Sequence, residues 1–249
     1  MKLFWHQLKS EQLVFWRSRE AAIFVFSFPP LLFLLLASVF GDGTEDGVPI
    51  STYLVAGLIA YAAANTALGG LAITLVIRRE YGILKRLRST PLPAPLYLAA
   101  VLLSILFVVV LQSLVVLALG VGLFDAQLPE SWFGFVLALG LGAAAFAGLG
   151  LAIAALIRSG EAIAAVVNVI ILPMSFLSGS FGPADALPGA LEVLRDVLPL
   201  RYLIDLVLGS YVDGDAVWEH ATAIAVLAAW GAGGYLVARR RFGWEPRER

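Results

Sequence analysis

Cysteine is absent from the chain, which excludes disulfides, thiolate metal sites and cysteine nucleophiles without assigning a redox compartment. Lysine is almost absent too, with three copies at Lys2, Lys9 and Lys85. A Walker-type phosphate loop needs a lysine after glycine to meet the β and γ phosphates, and these three follow Met1, Leu8 and Leu84. Any ATP hydrolysis therefore belongs to a separate polypeptide. Charge is scarce altogether: Asp, Glu, Lys and Arg make up 14% of the residues and the net charge is −1. That balance gives no footprint for nucleic acid. The apolar stretches carry no paired carboxylates for acid–base work and no His cluster for zinc, so no catalytic residue and no metal site is expected. The chain reads as a non-enzyme.

What is plentiful is apolar surface, 60% of 249 residues against the 45–50% or so usual in soluble domains. It comes in unbroken runs of about twenty residues, the pattern of spanning helices and not of an outer-membrane barrel. The expected fold class is all-α, a polytopic membrane protein whose residues 1–249 form a single transmembrane domain. Six spans are predicted at roughly 21–40, 52–77, 97–123, 132–157, 162–180 and 216–238. No small-residue cleavage site follows the first run, so it reads as a retained signal anchor. With this threading, 15 of 17 Lys and Arg residues fall on one side: four before the first span, five in the 78–96 loop, Arg158, and five in the tail. The positive-inside rule then places both termini in the cytoplasm, with the chain in an inner or plasma membrane.

Within this frame, residues 1–20 read as an amphipathic interfacial helix, with Phe4, Trp5, Leu8, Phe15 and Trp16 on one arc and Lys2, His6, Lys9 and Arg17 on another. It serves as a lipid-surface anchor or, in addition, as a contact for a cytoplasmic partner. Gly140, Ala144, Gly148 and Ala152 in the fourth span, and Ala221, Ala225, Ala229 and Gly233 in the sixth, suggest small-residue ridges for close helix packing. Pro29-Pro30 should bend the first span. The span interiors hold no ionisable residue, which weighs against proton coupling but not against sodium coupling. Their polar residues include Asn65, Gln112 and Asn168, which suit interhelical hydrogen bonding or contact with a substrate.

Two segments stand apart. Residues 78–93 form a compact basic stretch, Arg-Arg-Glu-Tyr-Gly-Ile-Leu-Lys-Arg-Leu-Arg-Ser-Thr-Pro-Leu-Pro, in which Tyr81, Ile83, Leu84 and Leu87 make an apolar stripe flanked by Lys85, Arg86 and Arg88. On physical grounds it suits a lipid-lying basic helix as well as a docking segment. Residues 181–212 break after Phe181-Gly182-Pro183, place Leu187, Leu191, Leu194 and Leu198 on one face opposite Glu192, Arg195 and Asp196, and restart at Pro199. Such charge density suits a helix that dips into the outer membrane face without crossing.

The wording of both segments resembles the permeases of type 2 ATP-binding-cassette (ABC) exporters: Glu80, Gly82, the Leu84–Arg88 run and Thr90-Pro91-Leu92-Pro93 in the first, Pro173 to Gly179 with Pro199-Leu200-Arg201-Tyr202 in the second. The resemblance implies that Glu80, Gly82, Ile83, Leu84, Lys85, Arg86, Leu87 and Arg88 form a coupling helix that meets a cytoplasmic ATPase subunit. It implies that Pro173, Phe176, Leu177, Ser178 and Gly179, with an external re-entrant helix pair at 181–212, form an outer gate. It further implies a second permease subunit, a homodimer being expected, and membrane lipids as surroundings. ATP and magnesium would be used by the ATPase and not bound here. Asn65, Gln112 and Asn168 are then candidates for the substrate path, and a drug, antibiotic, lipid or polysaccharide for the cargo. An ion-coupled transporter and a structural membrane subunit are the alternatives from other classes.

Overall fold

The computed structural model describes residues 2–40, 43–45, 48–181 and 189–244. Among them, six helices are long and apolar enough to cross a membrane: α2 (Arg19–Phe40), the stretch Ile50–Glu80, α6 (Ala94–Leu123), α7 (Trp132–Leu156), α8 (Gly160–Leu177) and α11 (Ala221–Arg241). The expected spans are all present. The sixth starts at Ala221 and not at 216, because Val217–Glu219 forms a 3₁₀ turn, and the fifth ends at Leu177 before a turn closed by Gly179 at φ 77°.

The second span sits at the centre, with 72% of its apolar window buried against 22% for α2 and α11. It is not a uniform helix. α3 (Ile50–Asn65) widens into a π-helical turn at Thr66–Gly70 before continuing as α4 (Leu71–Glu80). π-turns leave the regular i→i−4 ladder and often mark functional sites. Gly150 of α7 makes room for this turn, since a Cβ there would lie 2.6 Å from the Leu68 carbonyl.

Pro29 and Pro30 are buried inside a continuous α2. Proline has no N–H, so Pro29 leaves the carbonyl four residues back, Val25, without its helical donor. Gln112 of α6 supplies one: its Nε2 donates to the Val25 carbonyl at 2.6 Å while its Oε1 accepts from the Thr66 hydroxyl at 3.3 Å. One side chain thus stitches three spans together.

The closest crossing joins α7 and α11, and of the two expected ridges it uses Gly148 alone. Gly140 and Gly233 have open space around them. Contact runs through Ala145 and Gly148 on α7 and Gly231 and Gly234 on α11, where main chain lies on main chain: a Cβ on Gly148 would strike the Gly231 carbonyl, and one on Gly234 would strike the Gly148 carbonyl. The true stripe on α11, Leu227, Gly231, Gly234 and Ala238, is offset from the alanines that advertise a spacing of four.

At the end opposite the termini, Thr44–Glu45 pairs with Val48–Pro49 in a two-residue antiparallel ladder. α9 (Gly189–Val197) has no buried residue, and Leu191 and Leu194 are exposed. α10 (Pro199–Leu208) is seated in the bundle, with Leu200, Leu203 and Leu206 fully buried and Leu203 packed on Gly142. The expected helix pair is therefore one surface helix and one core helix. Leu187, Gly182 and Pro183 lie outside the described residues.

Candidate functional site

The end of the bundle that carries the termini also gathers the N-terminal helix α1 (Lys2–Arg17), the 78–93 segment, the α7–α8 turn and the tail. Its centre is Arg78-Arg79-Glu80, the last residues of α4, each of which holds a different neighbour. Arg78 donates to both Glu11 carboxylate oxygens, at 2.8 and 2.7 Å, and to the Tyr97 hydroxyl at 2.7 Å. Both charged partners are nearly buried, so the pair is worth more than a surface ion pair and leaves a costly orphan if broken. Arg79, 1% exposed, donates to the Ala154 carbonyl at 2.8 Å and to the Ile157 carbonyl, placing a cation on the C-terminal end of α7. Glu80 accepts from the Gly160 amide at 2.8 Å, placing an anion on the N-terminus of α8 beside the Ser159 hydroxyl, which caps Glu161. A Cβ at Gly160 would displace the Glu80 carboxylate from this position.

The charge pattern places Arg78 and Arg79 among the cations of the 78–96 loop and suggests one helix over 78–93. The structure makes those arginines internal ties. Gly82 at φ 69° then turns the chain into α5, a six-residue helix at Ile83–Arg88. The left-handed backbone there suits glycine. The expected stripe is split across α5. Leu84 is fully buried against this chain's own core, so it is not free to seat in a partner, while Leu87 is half-buried. Outward are Tyr81, Ile83, Lys85, Arg86 and Arg88. A helix this short needs an internal anchor, and Leu84 is that anchor.

α1 shows the same inversion. Phe4, Leu8 and Phe15 turn toward the protein around the buried Glu11, while Trp5 and Trp16 stay exposed. Gln12 fixes the register by donating to the Ser104 carbonyl and hydroxyl at 3.0 and 2.9 Å. Glu11 gave no signal as a site residue, because its partner lies 67 positions away.

Above the Glu11–Arg78 pair opens a cavity of about 630 Å³ between α1, α2, the second span, α6 and α8. Its walls include Phe15, Phe24, Ile73, Ile105 and Val167, with Asn65, Thr66, Thr74 and Asn168 as polar points. Of the three residues expected along a substrate path, Asn65 and Asn168 line this cavity. Gln112 does not: it is 2% exposed and stands behind the wall, engaged with Thr66 and Val25.

At the far end of α8, Pro173 and Phe176 are exposed, Leu177 is half-buried and Ser178 is buried. The Phe176 ring meets Phe181 at 4.8 Å, and Phe181 meets Tyr61 at 5.3 Å. Of the expected gate residues, Phe176 alone joins this aromatic cluster among the described residues, through Phe181 to Tyr61 of the second span. Among the described residues no group of acids and histidines has the arrangement of a metal site.

A bundle of six spans with a basic, externally presented segment tied to its helix ends has the design of a transport permease. Comparison with known families agrees: the family model for ABC-2 type transporters matches residues 2–212, and the chain belongs to that family. It is 23% identical over 204 residues to YvfS of Bacillus subtilis, provisionally named a transport permease, covering 82% of this chain and 79% of that one. It is 25% identical over 193 residues to YbhR of Escherichia coli, provisionally named a multidrug ABC transporter permease, covering 76% of this chain but 52% of YbhR, so it spans about half of that relative. It is 28% identical over 192 residues to Nodulation protein J of Sinorhizobium fredii, covering 75% of this chain and 72% of that protein. The chain is therefore a multi-pass membrane permease of the ABC transporter type, and its family membership implies an ATP-binding-cassette ATPase as partner.

Proposed function

We propose that this chain is the membrane subunit of an ATP-driven exporter that moves a hydrophobic or amphipathic cargo, such as a drug, antibiotic or lipid, out across the inner or plasma membrane. Both termini lie in the cytoplasm, two copies of the chain assemble, and ATP and magnesium act in the partner ATPase. The observation that carries this reading is the Arg78-Arg79-Glu80 junction. It stands directly before the exposed α5 and grips the ends of α7 and α8, so a push on α5 is delivered to two spans at once. α8 lines the cavity through Val167 and Asn168, and α1, held through Glu11, lines it as well. The name of YbhR supports a drug-like cargo. Polysaccharide is the alternative cargo within the same family.

The test is the exposed face of α5. Ile83→Asp and Arg86→Glu should leave insertion and expression intact, because both positions face outward, while abolishing co-purification of the cognate ATPase and cargo efflux. Native efflux in both variants at native expression would mean that α5 is a lipid anchor.

A further inference from the structure

The cavity is chemically selective. Among the described residues its lining contains two ionisable side chains, Glu11 and Arg78, and they neutralise each other through two hydrogen bonds, with Tyr97 taking a third from the arginine. Among the described lining residues no net or unpaired charge remains to meet a charged ligand, and a lone charge brought among these apolar walls would stay uncompensated. Amides are different. Gln112, outside the cavity, has partners on both its oxygen and its nitrogen. Asn65 and Asn168, on the cavity wall, make no side-chain hydrogen bond among the described residues. Each presents a carbonyl acceptor and two N–H donors. Asn65, half-buried, is the 16th of 31 residues in Ile50–Glu80, and Asn168, exposed toward the cavity mouth, is the ninth of 18 in Gly160–Leu177, so both stand near the middle of their spans. Asn65 also directly precedes the π-turn, which displaces this part of the second span from a regular helix.

Resting on the exporter reading above, we propose that the cavity binds amphiphiles whose polar group is uncharged and rich in hydroxyls or amides, gripped by the Asn65 and Asn168 amides with the apolar chain along Phe24 and Val167. Phosphate, carboxylate and quaternary ammonium headgroups are disfavoured. The Glu11–Arg78 pair is the floor of the site and does not act as a counter-ion for the ligand.

The test uses the full chain in nanodiscs, alone and with its ATPase, and three photoreactive probes with the same dodecyl chain: a glucoside, a phosphate and a trimethylammonium. With the permease alone, the glucoside should label cavity residues at least tenfold more efficiently than either charged probe. Asn65→Leu should reduce that preference to within about threefold, and Asn168→Asp, at a position open to the cavity, should turn the preference toward the trimethylammonium probe. Preferential labelling by the phosphate or trimethylammonium probe in the unmodified chain would overturn the proposal, as would a glucoside preference that survives both substitutions. With the ATPase added, ATP-dependent loss of glucoside labelling tests export separately. A neutral preference without ATP-driven release leaves the ligand class standing and removes the exporter reading, whereas ATP-driven release of a charged probe does the reverse.

Discussion

Arg78 and Leu84 lie six positions apart in a run that looks uniformly basic and amphipathic, yet the fold gives them internal tasks. Arg78→Ala strips the nearly buried Glu11 of its partner, and breaking a buried pair from one side costs about 3–5 kcal/mol. The loss should appear as a lower unfolding temperature in detergent, and Glu11→Gln combined with Arg78→Ala should recover part of it. Leu84→Ala should cost about 2–5 kcal/mol as a buried leucine truncation. Leu84→Asp should fail to accumulate at all, which distinguishes it from the well-folded Ile83→Asp; normal expression of Leu84→Asp would mean that this side chain faces outward. The sequence shows that residues 78–93 matter, but periodicity over six helical residues cannot decide which side is inner. The deciding partners, Glu11, Ala154 and Gly160, are remote in sequence, and nothing local signals them.

Among the elements, the spans were legible because twenty apolar residues in a row have few other uses, whereas their local departures from regularity were not. The π-turn at Thr66–Gly70 carries no signature beyond Gly69-Gly70, and the repair of Pro29 by Gln112 joins residues on different spans. The alanine spacing on α11 misled because small residues also suit lipid-facing positions, and the crossing was settled instead by where Gly148 and Gly231 meet. α10 has a consequence for pH. Burial pushes the Asp205 carboxyl above the ordinary aspartate range, opposed by Arg201 on the same helix, by His220 ahead of α11 and by Arg195 on α9. A carboxyl raised in the folded state gives stability that is present below its unfolded pKa and is lost as pH rises through the folded value. The unmodified chain should therefore lose thermal stability from the acid side upward across that window, and Asp205→Asn should flatten the profile. An identical slope in the variant, followed by thermal unfolding at stepped pH, would remove Asp205 from the account.

For the molecule as a whole, the charge count predicts an orientation that any membrane-sided probe can check. Fluorescent reporters that are silent outside the cytoplasm, fused after Arg249 and after Gln127 in a chain cut there, should glow at the first position and stay dark at the second. The reverse pattern would invert the topology and remove α5 from reach of an ATPase. The glycine crossing of α7 and α11 also bears on how the subunit is made. Ribosomes add about 5–20 residues per second, so the stretch between Gly148 and the end of α11 at Arg241 takes on the order of 5–20 s to appear. During that interval the earlier spans, α5 and most of the cavity wall already exist, while the backbone at Gly148 lacks its Gly231 and Gly234 neighbours and the Trp244 ring has not reached Tyr97. The bundle is closed by the arrival of its last helix and not by the insertion of its first.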